Sequence, residues 1–320
     1  MCDCDKLIKA IDAYLTKADD SLKDVLEAEG YVNASDTVKR TTSLEDAVAE
    51  ALKSETDYFI NAANDAIDIE EFANKIWPGI KLTDDLAEKL SLIFQEQLAE
   101  FLPELIEAYI QQTDKELILP QVSKRTTAWV KSWSKELGEL MTLTSHNEID
   151  NILTQGLKNG SGMQTFIQDI LDSGIRDEYY KARRVAITET LRAHSVAQEE
   201  SIQQSPAVEQ KEWVHTGNYR NAPRQNHVDM NGQVVNKNKP FTLIGADGST
   251  YEPQYPRDTI LPAAESVNCH CIHRGIVSEK ILGLSLDERK RLQAEAVAQM
   301  DDEWEKELDK KNKAKAGIDE

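Results

Sequence analysis

The sequence predicts an α+β protein: a mostly α-helical N-terminal region, then a small, loop-rich α+β module and a C-terminal helix. Apolar residues recur at helical spacing through roughly the first 205 residues. Six of the nine prolines then fall between residues 206 and 262, together with several glycines, and this composition excludes long helices there. From Ser285 the helical pattern returns among many charged residues.

These changes in composition divide the chain into four parts. They are an N-terminal helical arm (1–60), a helical domain (61–204), a small α+β domain (205–283) and a charged C-terminal helix with a tail (284–320). Within the arm, Leu7 to Leu15 has the spacing of a short amphipathic helix. The segment from Ser35 to Thr42 is expected to be a loop.

Long amphipathic helices dominate the helical domain. After Thr83, apolar residues recur from Leu86 to Tyr109, and Pro103 either kinks this helix or begins a second one. Ser145 occupies the first position of a capping-box pattern, which predicts that a new helix begins there.

Two further helices are predicted, one around Phe166 and one from about Asp177 to Ser201. The stripe from Trp129 to Leu140 has two interpretations, core packing or a groove for a cofactor or partner. Core packing is favoured because amphipathic helices bury such stripes by default.

The small α+β domain contains three short runs that are typical of strands. They are Glu212 to Val214, Gln233 to Val235 and Cys271 to Val277. A module this small has little apolar core, so we expect another stabilising element within it.

Charge limits the classes of function. The chain has 57 acidic and 37 basic residues, a net charge of −20, which disfavours a surface that coats nucleic acid. Residues 181–275 are nearly neutral, so the acidic excess lies in the flanking parts.

No apolar run approaches the roughly 18 residues of a spanning helix, and the first residues lack a secretory pattern, so we expect no membrane association and a cytoplasmic site of synthesis. The cysteines, paired as Cys2/Cys4 and Cys269/Cys271, are expected to be reduced thiols.

A group of cysteines and histidines in the small domain has the donor chemistry of a zinc site. Cys269 and Cys271 offer two thiolates and His227 an imidazole from a distant loop. His273 or His215 would be the fourth ligand, with Asp229 or a water as further alternatives. The competing interpretation is that the cysteines are small buried hydrophobes and His227 orders a loop by hydrogen bonding. Cys2 and Cys4 are assigned no role.

The densest basic cluster lies on one predicted helix and contains Arg183, Arg184 and Arg192. It has two interpretations: a contact with phosphate or with an acidic partner, or a solvated face whose arginines pair with acidic helices. The same helix carries Glu189, which we do not interpret as a catalytic acid.

Sequence motifs do not favour an enzyme. The chain contains no glycine-rich phosphate loop, no Ser/His/Asp order and no His-Glu-X-X-His. A zinc-dependent hydrolase or a toxin-associated module is the enzymatic alternative, with Glu252 or Glu265 as generic candidates for a base.

The order of several features resembles the phage minor head protein family of the Mu F type, also called head morphogenesis proteins, over about residues 150–280. The features are Thr188 and Glu189 within Ala182 to Thr190, then Trp213, Arg224, His227, Gly232, and Cys269 and Cys271. The family usually has an arginine between the two cysteines, where this chain has His270.

The resemblance implies a non-enzymatic virion protein that acts in capsid assembly at the portal vertex, and in handling or delivery of packaged DNA. It implies the portal protein and other head proteins as partners, with packaged DNA as a further one. Assembly would take place in the cytoplasm of the bacterial host. Thr188, Glu189, Trp213, Arg224 and Gly232 carry over as architectural motif residues.

Overall fold

The computed structural model describes residues 21–172, 178–216 and 223–316. Cys2, Cys4 and the helix predicted from Leu7 to Leu15 lie outside these residues.

Helices make up most of the described chain, as the sequence predicts. The helices that precede the small module are α1 (21–28), α2 (Ala34–Asp65), α3 (Ile69–Glu71), α4 (Trp77–Thr83), α5 (Leu86–Thr113), α6 (Lys124–Asn159), α7 (Met163–Asp172) and α8 (Glu178–Gln204). A π-helical turn, Phe72–Ile76, connects α3 to α4. Three short helices, α9 (Gln225–Asp229), α10 (Ala263–Ser266) and α11 (Glu279–Leu282), follow, and the long α12 (Leu286–Ala316) is the last described helix.

A three-stranded antiparallel sheet forms the centre of the small module. Strand β1 (Val208–Val214) lies between β2 (Val234–Asn236) and β5 (Ile272–Val277). A separate hairpin pairs β3 (Leu243–Ile244) with β4 (Thr250–Tyr251). The three strands predicted from sequence are therefore confirmed, and the α+β class with them.

Two local predictions were wrong. Ser35 to Thr42 is helical and belongs to α2, because the hydroxyls of Thr37 and Thr41 bond to carbonyls four residues earlier in the chain and do not interrupt the helix. Ser145 does not begin a helix but lies inside α6, with its hydroxyl 3.5 Å from Glu55 Oε2. Pro103 lies within a single continuous helix, α5.

The described chain packs as two compact units. These units are defined by contacts in space, whereas the four predicted parts are defined by changes in composition along the sequence. One unit contains the described residues within 1–41, 100–128 and 188–320, and the other contains those within 42–99 and 129–187. The predicted domain limits stay a prediction.

Each unit has its own apolar core. The second unit has an aromatic cluster around Phe59, Phe72, Trp77 and Phe166, and an aliphatic one that includes Leu90. In the first unit, one buried cluster belongs to the small module; its members are Trp213, Met230, Phe241, Leu243, Leu261, Cys269 and Cys271. Core packing of the predicted stripes is confirmed at Trp133 and Phe94, both buried, and is wrong at Leu140, which is exposed. None of the described helices is both long enough and apolar enough to span a lipid bilayer.

Candidate metal centre

Three of the predicted donors meet in the core of the small module. His227 lies on α9, Cys269 lies just before β5, and Cys271 immediately precedes the first residue of β5. His227 Nδ1 is 3.5 Å from Cys269 Sγ and 3.7 Å from Cys271 Sγ. All three side chains are buried, and their donor atoms lie within 4.8 Å of one another. Sulfur and imidazole donors this close together suit a zinc ion.

Backbone contacts between loops hold these donors in place. Arg224, at the N-cap of α9, donates from Nη2 to the carbonyl of Val267 at 2.6 Å and so ties α9 to the segment that carries the cysteines. Asn268 adopts the left-handed conformation, with φ 57°, and turns the chain into Cys269. Asparagine tolerates this conformation better than most residues.

His215 supplies a fourth donor atom, a second imidazole nitrogen, at the edge of the same group. It follows β1, and its Nδ1 lies 3.5 Å from Cys271 Sγ. Its backbone N–H donates to Asn231 Oδ1 at 2.9 Å, which positions the residue. His215 was one of the alternatives that the sequence left open.

The structure does not bring His273 into this group. Its Nε2 lies 3.0 Å from Glu199 Oε2, and the other oxygen of Glu199 accepts from Lys211 Nζ at 2.8 Å. All three side chains are almost fully buried. The reason is electrostatic, because a buried carboxylate and ammonium need hydrogen-bonding partners and His273 completes this set.

Glu265 contacts the centre from behind His227. Its Oε2 lies 2.8 Å from His227 Nε2, and it also accepts hydrogen bonds from Asn226 Nδ2 and the backbone of Ala246. A carboxylate behind an imidazole is the usual outer contact of a metal-bound histidine. Sequence reasoning considered Glu265 only as a generic base.

The two thiols are electrostatically different. A hydrogen bond from Cys271, followed by contacts with His227 and Arg257, holds the pKa of Cys269 well below its usual range despite burial. The same hydrogen bond, with burial, raises the pKa of Cys271. Burial lowers the pKa of His227, but its hydrogen bonds to Cys269 and Glu265 outweigh burial and raise it. Cys269 is therefore the thiolate of the pair, which is the form that binds metals.

Sequence reasoning missed Arg257, which supports the cysteines. Its guanidinium donates to the carbonyl of Cys269 at 2.6 Å and to Ser195 Oγ at 2.7 Å, and only 1% of the residue is exposed. It has a φ of 63°, unusual for a residue with a side chain. Because it lies in an irregular loop, no periodic pattern marks it, and its place after Pro256 is the only local signal.

Two arginines of the predicted basic cluster pair with carboxylates, as in the second of its two interpretations. Arg192 is buried, with Nε 2.9 Å from Glu189 Oε2, and it also donates to the carbonyl of Arg257. Arg183 is half-buried and pairs with Glu45 at 2.7 Å, while Arg184 is exposed. Nine residues of an α-helix are roughly two and a half turns, so Arg183 and Arg192 point to opposite sides of α8.

The remaining motif residues contribute to packing or to a turn. Trp213 is fully buried, and its ring packs edge-on against Phe241 and His227. Gly232, with φ 82°, donates its N–H to the carbonyl of Trp213 at 2.8 Å in a turn that favours glycine. Thr188 is buried on α8 beside Glu189.

Fold and site together define an α+β protein whose small sheet module encloses a Cys/His centre. Residues 147–274 match the family described as Phage Mu protein F like protein. The chain is also 33% identical over 305 residues to the uncharacterized protein YqbB of Bacillus subtilis (strain 168), covering 93% of this chain and 99% of that protein. No solved structure matches the chain.

The chain belongs to the Phage Mu F-like family of head morphogenesis proteins. The resemblance drawn from the sequence motifs is thereby confirmed.

Proposed function

We propose that this protein is a non-enzymatic minor head protein that acts in capsid assembly at the portal vertex of a phage head. The observation that carries the proposal is the family match over residues 147–274, the part of the chain that includes the Cys/His centre. The portal protein and other head proteins are its partners, and its place is in the virion after assembly in the host cytoplasm.

Charge supports a protein partner over direct contact with DNA. A net charge of −20 repels phosphates and favours basic protein surfaces. The Arg183, Arg184 and Arg192 face is not part of the proposal as a DNA site, because Arg192 is buried against Glu189. A role in handling packaged DNA would then be exerted through the assembled head.

The assembly proposal is tested with the full chain, since the packing units interleave along the sequence. The untagged chain is co-expressed with the portal and major head proteins encoded by the same phage, and assembled heads are purified. We expect the chain in heads assembled with the portal and its loss when the portal is omitted. Heads with a portal but without the chain would contradict the proposal.

We also propose that zinc binds at His215, His227, Cys269 and Cys271 as a structural centre. The donor set is of the Cys₂His₂ type, and a site closed by four protein ligands leaves no position for a reactive water. Glu265 is already engaged by His227, Asn226 and Ala246, which disfavours its use as a general base. These contacts support assembly rather than zinc-dependent hydrolysis.

Elemental analysis of untagged protein tests the zinc proposal. We expect about one zinc per chain, lost in Cys269→Ser/Cys271→Ser, and a lower melting temperature after chelation. Metal-free wild-type protein with no response to chelator would overturn it. A peptidase or nuclease activity that depends on the bound zinc would instead favour the hydrolase alternative.

A further inference from the structure

A second group of metal-type donors lies in the helical unit made of residues 42–99 and 129–187. Glu55 comes from α2, Asp84 from the residues just before α5, and His146 from the middle of α6. One donor atom from each lies within 4.8 Å of the other two. The distance from His146 Nε2 to Asp84 Oδ2 is 2.5 Å.

One carboxylate oxygen of Glu55 lacks a hydrogen-bond partner among the described residues. Only 8% of the residue is exposed, and its Oε1 is buried with no hydrogen-bond partner among the described residues. The other oxygen, Oε2, lies 3.5 Å from Ser145 Oγ, and Glu55 can hydrogen-bond to Asp84 only when one of the two carboxyls holds a proton. A buried carboxylate oxygen left in this state is costly unless a proton or a cation satisfies it.

The neighbouring charges do not supply that cation. Lys89, which acts electrostatically on the cluster, is exposed and pairs with Asp85 at 2.7 Å. Burial and the nearby Asp84, with which it shares a side-chain hydrogen bond, raise the pKa of Glu55 to about 9, so without a bound cation this carboxyl holds a proton.

A backbone hydrogen bond and a ring contact already orient two of the three donors. Asp84 Oδ1 accepts from the N–H of Leu86 at 2.8 Å, which holds the carboxylate at the start of α5 and leaves Oδ2 toward His146. The His146 ring packs edge-on against Trp77 at 5.4 Å between centroids. Both donors are therefore positioned before any ligand binds.

We propose that Glu55, Asp84 and His146 form a binding site for a divalent first-row transition metal, separate from the Cys/His centre. Two carboxylates and one imidazole are ligands for Mn²⁺, Fe²⁺ or Zn²⁺, and the remaining positions would be filled by water. A bound ion would satisfy the unpartnered oxygen of Glu55 and would join three helices of one unit. This site does not depend on the proposed assembly function.

Mn²⁺ is the probe that distinguishes the two centres, because carboxylates suit Mn²⁺ whereas thiolates select zinc. Full-length protein, loaded with only about one equivalent of zinc per chain, which the thiolates of the Cys/His centre take first, is titrated with Mn²⁺ by calorimetry and electron paramagnetic resonance. Glu55→Gln and Asp84→Asn remove a charged ligand while keeping the shape, and Asn at 84 retains an oxygen for the Leu86 N–H. The matched control is Glu88→Gln, which removes an exposed carboxylate from the same end of α5.

We expect one tight Mn²⁺ per chain in the wild type, with affinity weakened at least about tenfold in Glu55→Gln and Asp84→Asn, since losing even an outer contact of a metal site costs that much. Glu88→Gln should bind like the wild type, and Mn²⁺ should raise the melting temperature of both. Equal Mn²⁺ binding by wild type and Glu55→Gln would show that only surface acids bind the ion and would overturn the proposal. Absence of binding to the wild type would show that the cluster holds a proton instead, which overturns it equally.

Discussion

His227 Nε2 lies 2.8 Å from the carboxylate of Glu265, while the other nitrogen of the same ring faces the sulfur of Cys269 at 3.5 Å. A carboxylate accepts hydrogen bonds, so in the neutral ring it keeps the proton on Nε2, and Nδ1 can then offer its lone pair to a metal ion held by the thiolates. The relationship turns a histidine and two cysteines into an oriented donor set. Glu265 positions His227, and His227 and the two cysteines are among the proposed ligands.

The identity of the fourth ligand can be decided by comparing two histidines. His215→Ala is expected to lower the zinc content of folded protein, because its Nδ1 faces Cys271 Sγ at 3.5 Å. His273→Gln is expected to leave zinc content unchanged, because His273 bonds Glu199 instead. Elemental analysis of both variants, normalised to folded chain, is the measurement. Zinc lost from His273→Gln and retained in His215→Ala would refute the assignment.

Glu265→Gln is expected to weaken zinc binding without removing a ligand. The loss of an outer carboxylate typically costs about 10- to 100-fold in metal affinity. The affinity is measured by competition with a chromophoric chelator. Glu252→Gln is the control, since Glu252 is an exposed acid of the same module. Equal affinities in the two variants would show that Glu265 does not act through His227.

Glu199→Gln is expected to destabilise the fold strongly. Lys211, with none of its side chain exposed, pairs with Glu199 at 2.8 Å and would be left as a buried, uncompensated charge, at a cost of about 3–5 kcal/mol. Glu212→Gln breaks the exposed pair with Arg274, and its expected cost is below about 1 kcal/mol. Urea unfolding measures both free energies. A similar cost for the two variants would show that Lys211 does not depend on Glu199 to compensate its buried charge.

The pH dependence of stability is expected to report on His194. Its ring contacts Thr37 Oγ1 at 2.8 Å and Tyr109 Oη at 3.0 Å, and burial, with the charge of Arg257, lowers its pKa to about 3. Below a pH of about 6.5 the unfolded chain binds a proton at this residue while the folded chain does not. The free energy of unfolding therefore falls as pH decreases toward 3, by at most about 1.4 kcal/mol per pH unit from this group.

The contribution of His194 is separated from that of the carboxylates by a variant. His194→Gln cannot titrate, so its stability should decrease less steeply between pH 6.5 and 4 than that of the wild type. Urea unfolding across this range is the measurement. Parallel curves for the two proteins would show that His194 is protonated in the fold.

Two helical glycines should respond in opposite directions to alanine. A Cβ at Gly138 would lie 2.4 Å from the carbonyl oxygen of Ala87, so Gly138→Ala forces two helices apart and should lower the melting temperature. Among the described residues, Gly79 has no atom within 4 Å of that position, so Gly79→Ala should stabilise the protein by up to about 1 kcal/mol through helix propensity. Thermal unfolding checks both, and a neutral Gly138→Ala would contradict the close approach.

Local patterns predicted much of the fold. The strands around Trp213, Val234 and His273, and the helices α7, α8 and α12, follow from alternation or helical periodicity together with proline and glycine content. Polar residues gave wrong local predictions where their side chains, which are common in loops, hydrogen-bond within a helix instead. Thr37 resembles a loop residue in sequence, yet its hydroxyl bonds to the carbonyl four residues earlier and the residue lies within α2.

The sequence by itself determined the class of fold, the family, and the Cys/His composition of the centre, because residue identity and short spacing carry that information. Tertiary structure alone decided which groups meet. Glu199 and His273 are 74 residues apart, and their contact keeps His273 out of the centre. Arg192 is buried because Glu189 and the carbonyl of Arg257 satisfy it. Buried polar groups take the partners that packing brings within hydrogen-bonding distance, and separation along the chain does not encode those partners.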